Sequence, residues 1–346
     1  MIMPVFTTGK IYKDKLFCSC ANYNGLFQVD LDSGNVVFLS LFPNETCISE
    51  MLHRNSVLYE KYLCFLPQEG SFLQIYDIEN AEFQSVNLKG IKAGPYDGFI
   101  CDGELNVYSL NGGILILKYS LLKMKITYEY VSNGETSKHI YQKIYKQNDL
   151  ICMLEYDTNV MDEVDYKTGE LRQHYLEIPS SINYSVSRSG FWFVSSDNTA
   201  VSLWNSSSNT VMSYIVEGKR ENETFSGVVE IGAEVFLVPI DGDIIRKLSE
   251  DKFVPMHKIC LSSRKNNAST FFISNERTDS HYYMLPLNID SFIIIDDKGC
   301  ISQLQYKWIN EEEYDENMFR TEIKEKLAKS VYENEWNTLA NYISWI

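Results

Sequence analysis

Short apolar runs recur along the chain at a nearly constant spacing. Each run has four or five residues, and the seven runs span 16–19, 63–67, 105–108, 150–153, 191–194, 235–239 and 282–286. If positions 19, 66, 108, 153, 194, 238 and 285 are taken as equivalent anchors, the steps between them are 47, 42, 45, 41, 44 and 47 residues. Short apolar runs bounded by turn residues predict buried β-strands, and their fixed period predicts a repeat protein.

A turn signal follows most anchors at a similar distance. These signals lie at 32–35, 79–81, 167–170, 205–209, 249–251 and 297–299. They predict turns because Gly accepts positive φ, and because Asn, Asp and Ser bond to their own backbone. The third repeat breaks the pattern, since it carries Leu-Leu-Lys-Met-Lys at 121–125 where the turn is expected.

Each repeat is expected to hold four short strands, as in 225–230, 234–239, 243–248 and 252–256. Four strands in about 44 residues, repeated seven times, is typical of a β-propeller. We therefore predict an all-β, seven-bladed propeller, or a six-bladed one if a diverged repeat is an insertion. Residues 5–12 form either the first strand of the first blade or the outermost strand of the last.

The repeat resembles the kelch and WD40 class of propellers over residues 4–308. A kelch-like Gly-Gly pair occurs at Gly112-Gly113, and Trp204-Asn205 is nearest to the WD40 Trp-Asp mark. Because neither mark recurs in every repeat, the resemblance implies architecture alone, and no functional residue is carried over. We predict a propeller domain at 1–309 and a C-terminal helical extension at 310–346.

The predicted extension differs from the repeats in its hydrophobic pattern. An acidic stretch at 311–316 suits the start of a helix, and Phe319, Ile323 and Leu327 follow at helical spacing. A second short helix is expected to carry Trp336. We expect both helices to pack on the propeller, and the alternative is a docking surface for a partner or a second copy.

Charge and cysteine usage narrow the functional classes. The 346 residues include 31 Lys and Arg against 47 Asp and Glu, a formal net charge of −16. An acidic chain is a poor general binder of nucleic acid or anionic membranes. No apolar stretch is long enough for a spanning helix, and the first residues lack signal-peptide features. The eight cysteines are scattered, several within apolar runs, which favours buried free thiols and a cytoplasmic protein.

Motifs of catalysis are absent from the sequence. It contains no Gly-rich phosphate loop, no His-Glu-x-x-His and no Gly-x-Ser-x-Gly, and its five histidines lie far apart. Carboxylate clusters at 30–32, 162–165, 241–243 and 296–297 adjoin expected turns. There, Asp is expected to cap the backbone rather than to bind calcium or transfer protons. We predict no catalytic residue, no metal and no cofactor.

The loops that join one blade to the next differ in charge from the rest of the chain. In the windows 40–54, 88–98, 132–140, 177–188, 217–226 and 257–270 there are 10 Lys and Arg against 8 Asp and Glu. We expect these loops to share one face. Their basic residues are either ordinary solvated loop charges or, in the alternative, part of a surface that receives an acidic partner or ligand by electrostatic complementarity. The candidate contact residues in these windows are Arg54, Lys92, Tyr96, Tyr184, Lys219, Arg220, Arg264 and Lys265.

The sequence thus predicts a non-catalytic propeller that acts as a protein-interaction module, because a rigid scaffold presents variable loops. The alternative is a hydrolase or lyase that acts on a glycan or an anionic small molecule at the mouth of the propeller channel. A cluster of carboxylate, His and Arg side chains around the channel would favour the enzyme. Apolar and small side chains there would favour the interaction module.

Overall fold

A computed structural model describes residues 5–21, 24–45, 51–88, 94–129, 139–259, 272–278, 280–286 and 291–309. Within these ranges the secondary structure is entirely β. The chain divides into two compact units. The terminal unit comprises the described residues up to Asn87 together with 304–309, and the central unit comprises those from Leu88 to Gln303.

The described strands follow one another in seven groups of four, with one short strand after them. The first two groups are β1 (Phe6–Tyr12), β2 (Lys15–Cys20), β3 (Leu26–Asp30), β4 (Asn35–Ser40), and β5 (His53–Tyr59), β6 (Tyr62–Pro67), β7 (Phe72–Asp77), β8 (Glu82–Asn87). The third and fourth are β9 (Tyr96–Cys101), β10 (Glu104–Ser109), β11 (Ile114–Ser120), β12 (Lys125–Glu129), and β13 (Tyr141–Gln147), β14 (Leu150–Glu155), β15 (Val160–Asp165), β16 (Leu171–Tyr175). The fifth and sixth are β17 (Ser181–Val186), β18 (Phe191–Ser195), β19 (Ala200–Asn205), β20 (Thr210–Val216), and β21 (Thr224–Ile231), β22 (Glu234–Asp241), β23 (Ile244–Ser249), β24 (Lys252–Lys258). The last are β25 (Phe272–Arg277), β26 (His281–Pro286), β27 (Ser291–Asp296), β28 (Ile301–Gln305) and the short β29 (Lys307–Trp308).

Each group is an antiparallel meander, so consecutive strands are neighbours in the sheet. All seven predicted anchor runs lie on the second strand of a group, and the predicted turn signals lie between the third and fourth strands. The third group turns at the same place without the signal, because Met124 adopts a φ of 48° and Ser120 Oγ accepts the Lys123 N–H at 3.2 Å. The repeat drawn from the sequence is therefore confirmed.

In the terminal unit the first two groups pack against each other through an aromatic-rich core that includes Phe17, Phe42 and Phe65. Strand β1 pairs with β2, which decides that it is the first strand of its own group and not the last strand of another. Strand β29 then adds in parallel to the outer edge of β4. Lys307 N–H donates to Gly34 O and Ile309 N–H donates to Val36 O, both at 3.0 Å.

The central unit holds the third to seventh groups, apart from the last two residues of β28. Four apolar clusters join neighbouring groups in succession, and each mixes side chains from two groups. The outer strands β20 and β24 meet in parallel at Ile215–Val216, so that the fifth and sixth groups form one eight-stranded sheet. Within the described ranges, no helix is long and apolar enough to cross a membrane.

The predicted helical extension at 310–346 lies outside the described residues, so the helices and the domain boundary at 309 remain predictions. Of the eight cysteines, six are described, and they are free thiols. Cys18, Cys20, Cys64 and Cys152 are buried as expected, whereas Cys300 is exposed. Burial raises the pKa of Cys152 to about 12, which makes this thiol unreactive.

Candidate functional site

The connections fall at two ends of each sheet. In every group the first strand begins, the second ends and the third begins at one end, which we call the loop end. The other end, the hairpin end, carries the tight turns. In the central unit the loop ends of the third to fifth groups are tied together, because Asn111 bridges Ile140 and Thr158 bridges Ser181. The central unit therefore presents these loops as one continuous surface.

A β-bulge interrupts the pairing of the first and second strands near the loop end in six of the seven described groups. Bulges bend a strand and redirect its side chains, and they are common beside functional sites. The residue paired with the anchor is polar or Gly in six groups: Thr8, Asn55, Asp97, Asn183, Gly227 and Ser274. This second periodic feature was not predicted, although it is visible in the sequence upstream of six of the seven anchors.

Polar side chains on the first strand of each of three groups in the central unit form hydrogen bonds to the next group along the chain. Asp97 Oδ2 accepts the Ile144 N–H at 2.9 Å, and Gln142 Nε2 donates to Ser181 O at 2.8 Å. Ser185 Oγ donates to Val228 O and accepts the Val228 N–H, both at 2.9 Å. These groups are committed to the scaffold, so they do not form a set of unpaired acids and bases for catalysis.

A buried ion pair fixes the connection between β20 and β21. The Arg246 guanidinium, which is fully buried, donates to both carboxylate oxygens of Glu223 at 2.6 and 2.8 Å. It also donates to Glu217 O and Gly218 O, both at 3.1 Å, and it lies 5.1 Å from the centre of the Phe225 ring. Such a bidentate pair holds the loop in one conformation because its two parallel hydrogen bonds fix the geometry. Removal of either partner would leave a buried charge without its counter-charge.

Titratable side chains also meet at the loop end of the fourth group. The Tyr141 hydroxyl donates to Asp162 Oδ2, and Gln173 Nε2 donates to Asp162 Oδ1 at 2.9 Å. Burial, then the bond to Asp162, raises the pKa of Tyr141 above its ordinary value. His139 Nδ1 lies 2.9 Å from Glu155 Oε1 on the same side of the sheet. This arrangement holds a neutral phenol on a carboxylate, which stabilises the loop rather than activating a nucleophile.

Two large apolar side chains project from this same loop end. Ile140 is 54% exposed and Tyr156 is 58% exposed. The backbone beneath them is ordered, because Tyr156 N–H donates to Ile140 O at 2.7 Å. An exposed aromatic side chain on a rigid frame is typical of a contact surface for another molecule.

The terminal unit places a buried histidine at its loop end. His53 Nδ1 lies 2.9 Å from Ser19 Oγ, and its ring packs on Phe42 and Phe65. Burial lowers the pKa of His53 to about 3, so the ring is neutral in the folded protein. Nearby, Glu45 Oε1 accepts the Ser71 and Phe72 N–H groups, both at 2.9 Å. These contacts fix loops and provide no open catalytic base.

The predicted contact residues divide into three kinds. Arg54, Lys219 and Arg220 are wholly or partly exposed, and Arg220 Nη1 donates to Asp243 Oδ1 at 2.7 Å. Tyr96 and Tyr184 are buried, and the Tyr184 hydroxyl donates to Lys143 O at 2.9 Å, so both rings pack within the protein. The remaining three, Lys92, Arg264 and Lys265, lie outside the described residues. Binding by any of the eight residues stays a prediction.

Among the described residues, no three His, Cys, Asp or Glu side chains are grouped closely enough to hold a metal ion. In the predicted carboxylate cluster at 241–243, Asp243 is paired with the Arg220 and Lys258 side chains. The other three clusters each contain an Asp that accepts turn N–H groups, as expected. Asp30 Oδ1, for example, accepts the Asp32 and Ser33 N–H groups. Contact with Lys15 and the Ser33 bonds hold the pKa of Asp30 well below its ordinary value, as turn capping requires.

Comparison with solved structures identifies the fold. Streptogramin B lyase is similar to this chain with a TM-score of 0.63 and 13% identity, over 87% of this chain and 93% of the lyase chain. Kluyveromyces lactis Hsv2 is similar with a TM-score of 0.56 and 10% identity, over 89% and 100% of the two chains. A chain of the mitotic checkpoint complex is similar with a TM-score of 0.55 and 10% identity, over 89% and 91%. These are β-propeller-type folds, and the chain described here has a fold of that type.

No protein-family model and no curated protein matches the chain. The similar structures include a lyase and a chain of a multiprotein complex, and at these identities they share the fold with this chain and nothing finer.

Proposed function

We propose that the chain is a seven-bladed, non-catalytic propeller that recognises a protein partner through its loop end, in the cytoplasm. The observation that supports the proposal is a contrast at the loop end of the central unit between buried polar side chains, which are bonded within the protein, and large apolar side chains, which are exposed. The buried carboxylates there, Asp162 and Glu223, are bonded to other parts of the scaffold. Large apolar side chains at Ile140 and Tyr156 are left in solvent.

The seven blades of this proposal correspond to the seven four-stranded groups. Each group repeats the same meander, the same second-strand anchor and, in six of seven, the same bulge beside the loop end. A propeller scaffold suits recognition because its loops vary while its sheets stay rigid. The acidic composition supports a protein rather than a nucleic acid as partner.

The alternative of a hydrolase or lyase requires unpaired carboxylate, His and Arg groups that converge on one point. Among the groups at the described loop ends, His139 is paired with Glu155 at 2.9 Å and Arg246 with Glu223 at 2.6 Å, so these side chains are already bonded to one another. The acidic partner suggested by Arg54, Lys219 and Arg220 stays part of the proposal. Arg220 already shares Asp243 with Lys258, at 2.7 and 3.8 Å, which reduces its free charge.

Site-specific photo-crosslinking tests the proposal. A photoreactive amino acid is placed at Glu177, exposed at the loop end, or at Ser207, exposed at the hairpin end of the adjoining group. We expect a discrete protein adduct in native cells from position 177 and none from position 207. The crosslinked protein, once purified, must also bind the unmodified chain in solution. Adducts confined to position 207, or none at either position, would overturn the proposal.

A further inference from the structure

The exposed apolar pair continues the ladder of β13 and β14 by one step. Tyr141 is paired with Glu155, and the next opposed residues are Ile140 and Tyr156, joined by the 2.7 Å backbone bond. Directly opposed residues project from the same face of a sheet. Tyr156 follows Leu154 by two residues, and Leu154 packs in the core shared with the fifth group. Both side chains therefore lie on the face of the fourth group that packs against the fifth group, at its exposed loop end.

The backbone under the pair is held on both sides. Ile140 is bridged to Asn111 of the third group, and Thr158 is bridged to Ser181 of the fifth. The Leu176 N–H also donates to Asn159 O at 2.9 Å. Because the frame is fixed before any partner arrives, binding there loses little conformational entropy. The pair is thus a preformed contact surface and not the tip of a loose loop.

One carboxylate, Asp157, follows Tyr156 directly in the chain, and a second, Asp197, lies in a loop of the fifth group that is bonded to Asp157 through Ser196. Asp157 Oδ1 accepts the Ser196 hydroxyl at 2.7 Å, which joins its loop to the one that carries Asp197. Asp197 accepts the Ser195 hydroxyl at 2.6 Å and the Thr199 N–H at 3.0 Å. In the described part of the chain, neither carboxylate has a Lys or Arg partner within ion-pair distance. Their charge is available to a cationic partner.

We propose that Ile140 and Tyr156 form a docking site for a protein segment that carries a large apolar side chain next to Lys or Arg. This inference rests on the proposed function and names the partner's chemistry at one part of the loop end. The apolar side chain packs on the Ile140–Tyr156 pair, and the neighbouring cation lies against Asp157 and Asp197. An acidic segment is disfavoured there because like charges would meet without counter-charge.

The test uses two synthetic nonapeptide libraries. Each peptide has a central Leu, Phe or Trp, flanked by two Lys or Arg in the first library and by two Asp or Glu in its twin. Fluorescence anisotropy with the full-length protein measures the affinity. Tyr156→Ser removes the aromatic contact, and Asp157→Asn removes one charge while keeping an oxygen for the Ser196 hydroxyl. Tyr175→Ser is the matched control, because Tyr175 is 72% exposed on the outer strand of the same group.

We expect the basic library to bind and its acidic twin to bind at least tenfold more weakly. Tyr156→Ser should weaken binding about tenfold or more, as for an aromatic hot spot. Asp157→Asn should weaken it about two- to fivefold, with a smaller salt dependence. Tyr175→Ser should leave it unchanged. Equal binding of both libraries, no binding, or loss on Tyr175→Ser but not on Tyr156→Ser would overturn the inference. If crosslinks from position 177 persisted in that event, recognition at the loop end would stand and the basic, apolar partner would be wrong.

Discussion

Two glycines with the same backbone conformation offer a direct test of how the chain end is held. Gly34, between β3 and β4, and Gly169, between β15 and β16, both have a φ of 74°. Each N–H donates to the carbonyl of an Asp four residues earlier. A Cβ at position 34 would lie 2.1 Å from Gln305 O, whereas a Cβ at position 169 would meet nothing within 4 Å. The two Gly→Ala variants therefore share backbone strain and differ in one steric clash.

The expected magnitudes follow from these contacts. Positive φ costs an Ala about 1 kcal/mol in either variant. In Gly34→Ala the Gln305 carbonyl must move by more than about 1 Å, since ordinary carbon contacts lie near 3.5 Å. That movement weakens the two backbone bonds of β29, at about 1 kcal/mol each, and exposes part of Trp308, whose full burial contributes about 1.5–3 kcal/mol. We expect Gly34→Ala to lose about 2–4 kcal/mol more unfolding free energy than Gly169→Ala.

Urea unfolding of the full chain measures this difference in unfolding free energy. The slope of free energy against urea concentration is compared between the variants, because a changed slope would mean that the unfolding transition itself had changed. Amide hydrogen exchange at Lys307 and Ile309 adds a local measurement, because these N–H groups make the β29 bonds. Their exchange should be faster in Gly34→Ala and unchanged in Gly169→Ala. Equal losses of stability with unchanged exchange would show that β29 is not held against β4 as described.

Three further predictions concern charged groups. Glu223→Gln should lower the unfolding free energy by about 3 kcal/mol in denaturant titrations, because Arg246 stays buried without its counter-charge. A loss below about 1 kcal/mol would contradict the buried Arg246–Glu223 ion pair. Because the folded-state pKa of His53 is depressed to about 3, the unfolded chain takes up a proton first as the pH falls. The contribution of neutral, buried His53 to the unfolding free energy is therefore fully present above about pH 6.5. It declines by up to about 1.4 kcal/mol per pH unit towards pH 3, and His53→Gln should remove this decline from the plot of unfolding free energy against pH. If the partner is acidic, Arg220→Glu with Arg264→Glu should slow its association about tenfold at low salt while the protein still unfolds cooperatively, with a small loss of stability from the Arg220–Asp243 pair. Equal association rates in stopped flow would refute that partner chemistry.

The sequence by itself determined the repeat and the place of each strand within it. Runs such as 63–67 and 235–239 lie on β6 and β22 because a buried inner strand needs consecutive apolar residues. Turn positions could also be predicted where Gly, Asn or Asp adopts a backbone conformation that is unfavourable for other residues, as at Gly34. At 121–125 no such residue is present, and tertiary pairing of β11 with β12 enforces the turn on Met124 instead.

The sequence was a poorer guide to which loop-end side chains are exposed, because exposure depends on which elements meet. Tyr96 and Tyr184 lie in loop-adjacent windows and suggested contact residues, yet packing of neighbouring groups buries both. Arg246 and Glu223 are 23 residues apart and look like solvent charges in the sequence, but the folded chain joins them in one buried pair. Ile140 and Tyr156 each look like ordinary strand residues. Only the pairing of β13 with β14, one step beyond their buried ends, places both side chains together in solvent. Local pattern therefore determined the strands and most turns. Long-range contacts determined which polar groups are bonded within the scaffold and which apolar side chains remain exposed to solvent.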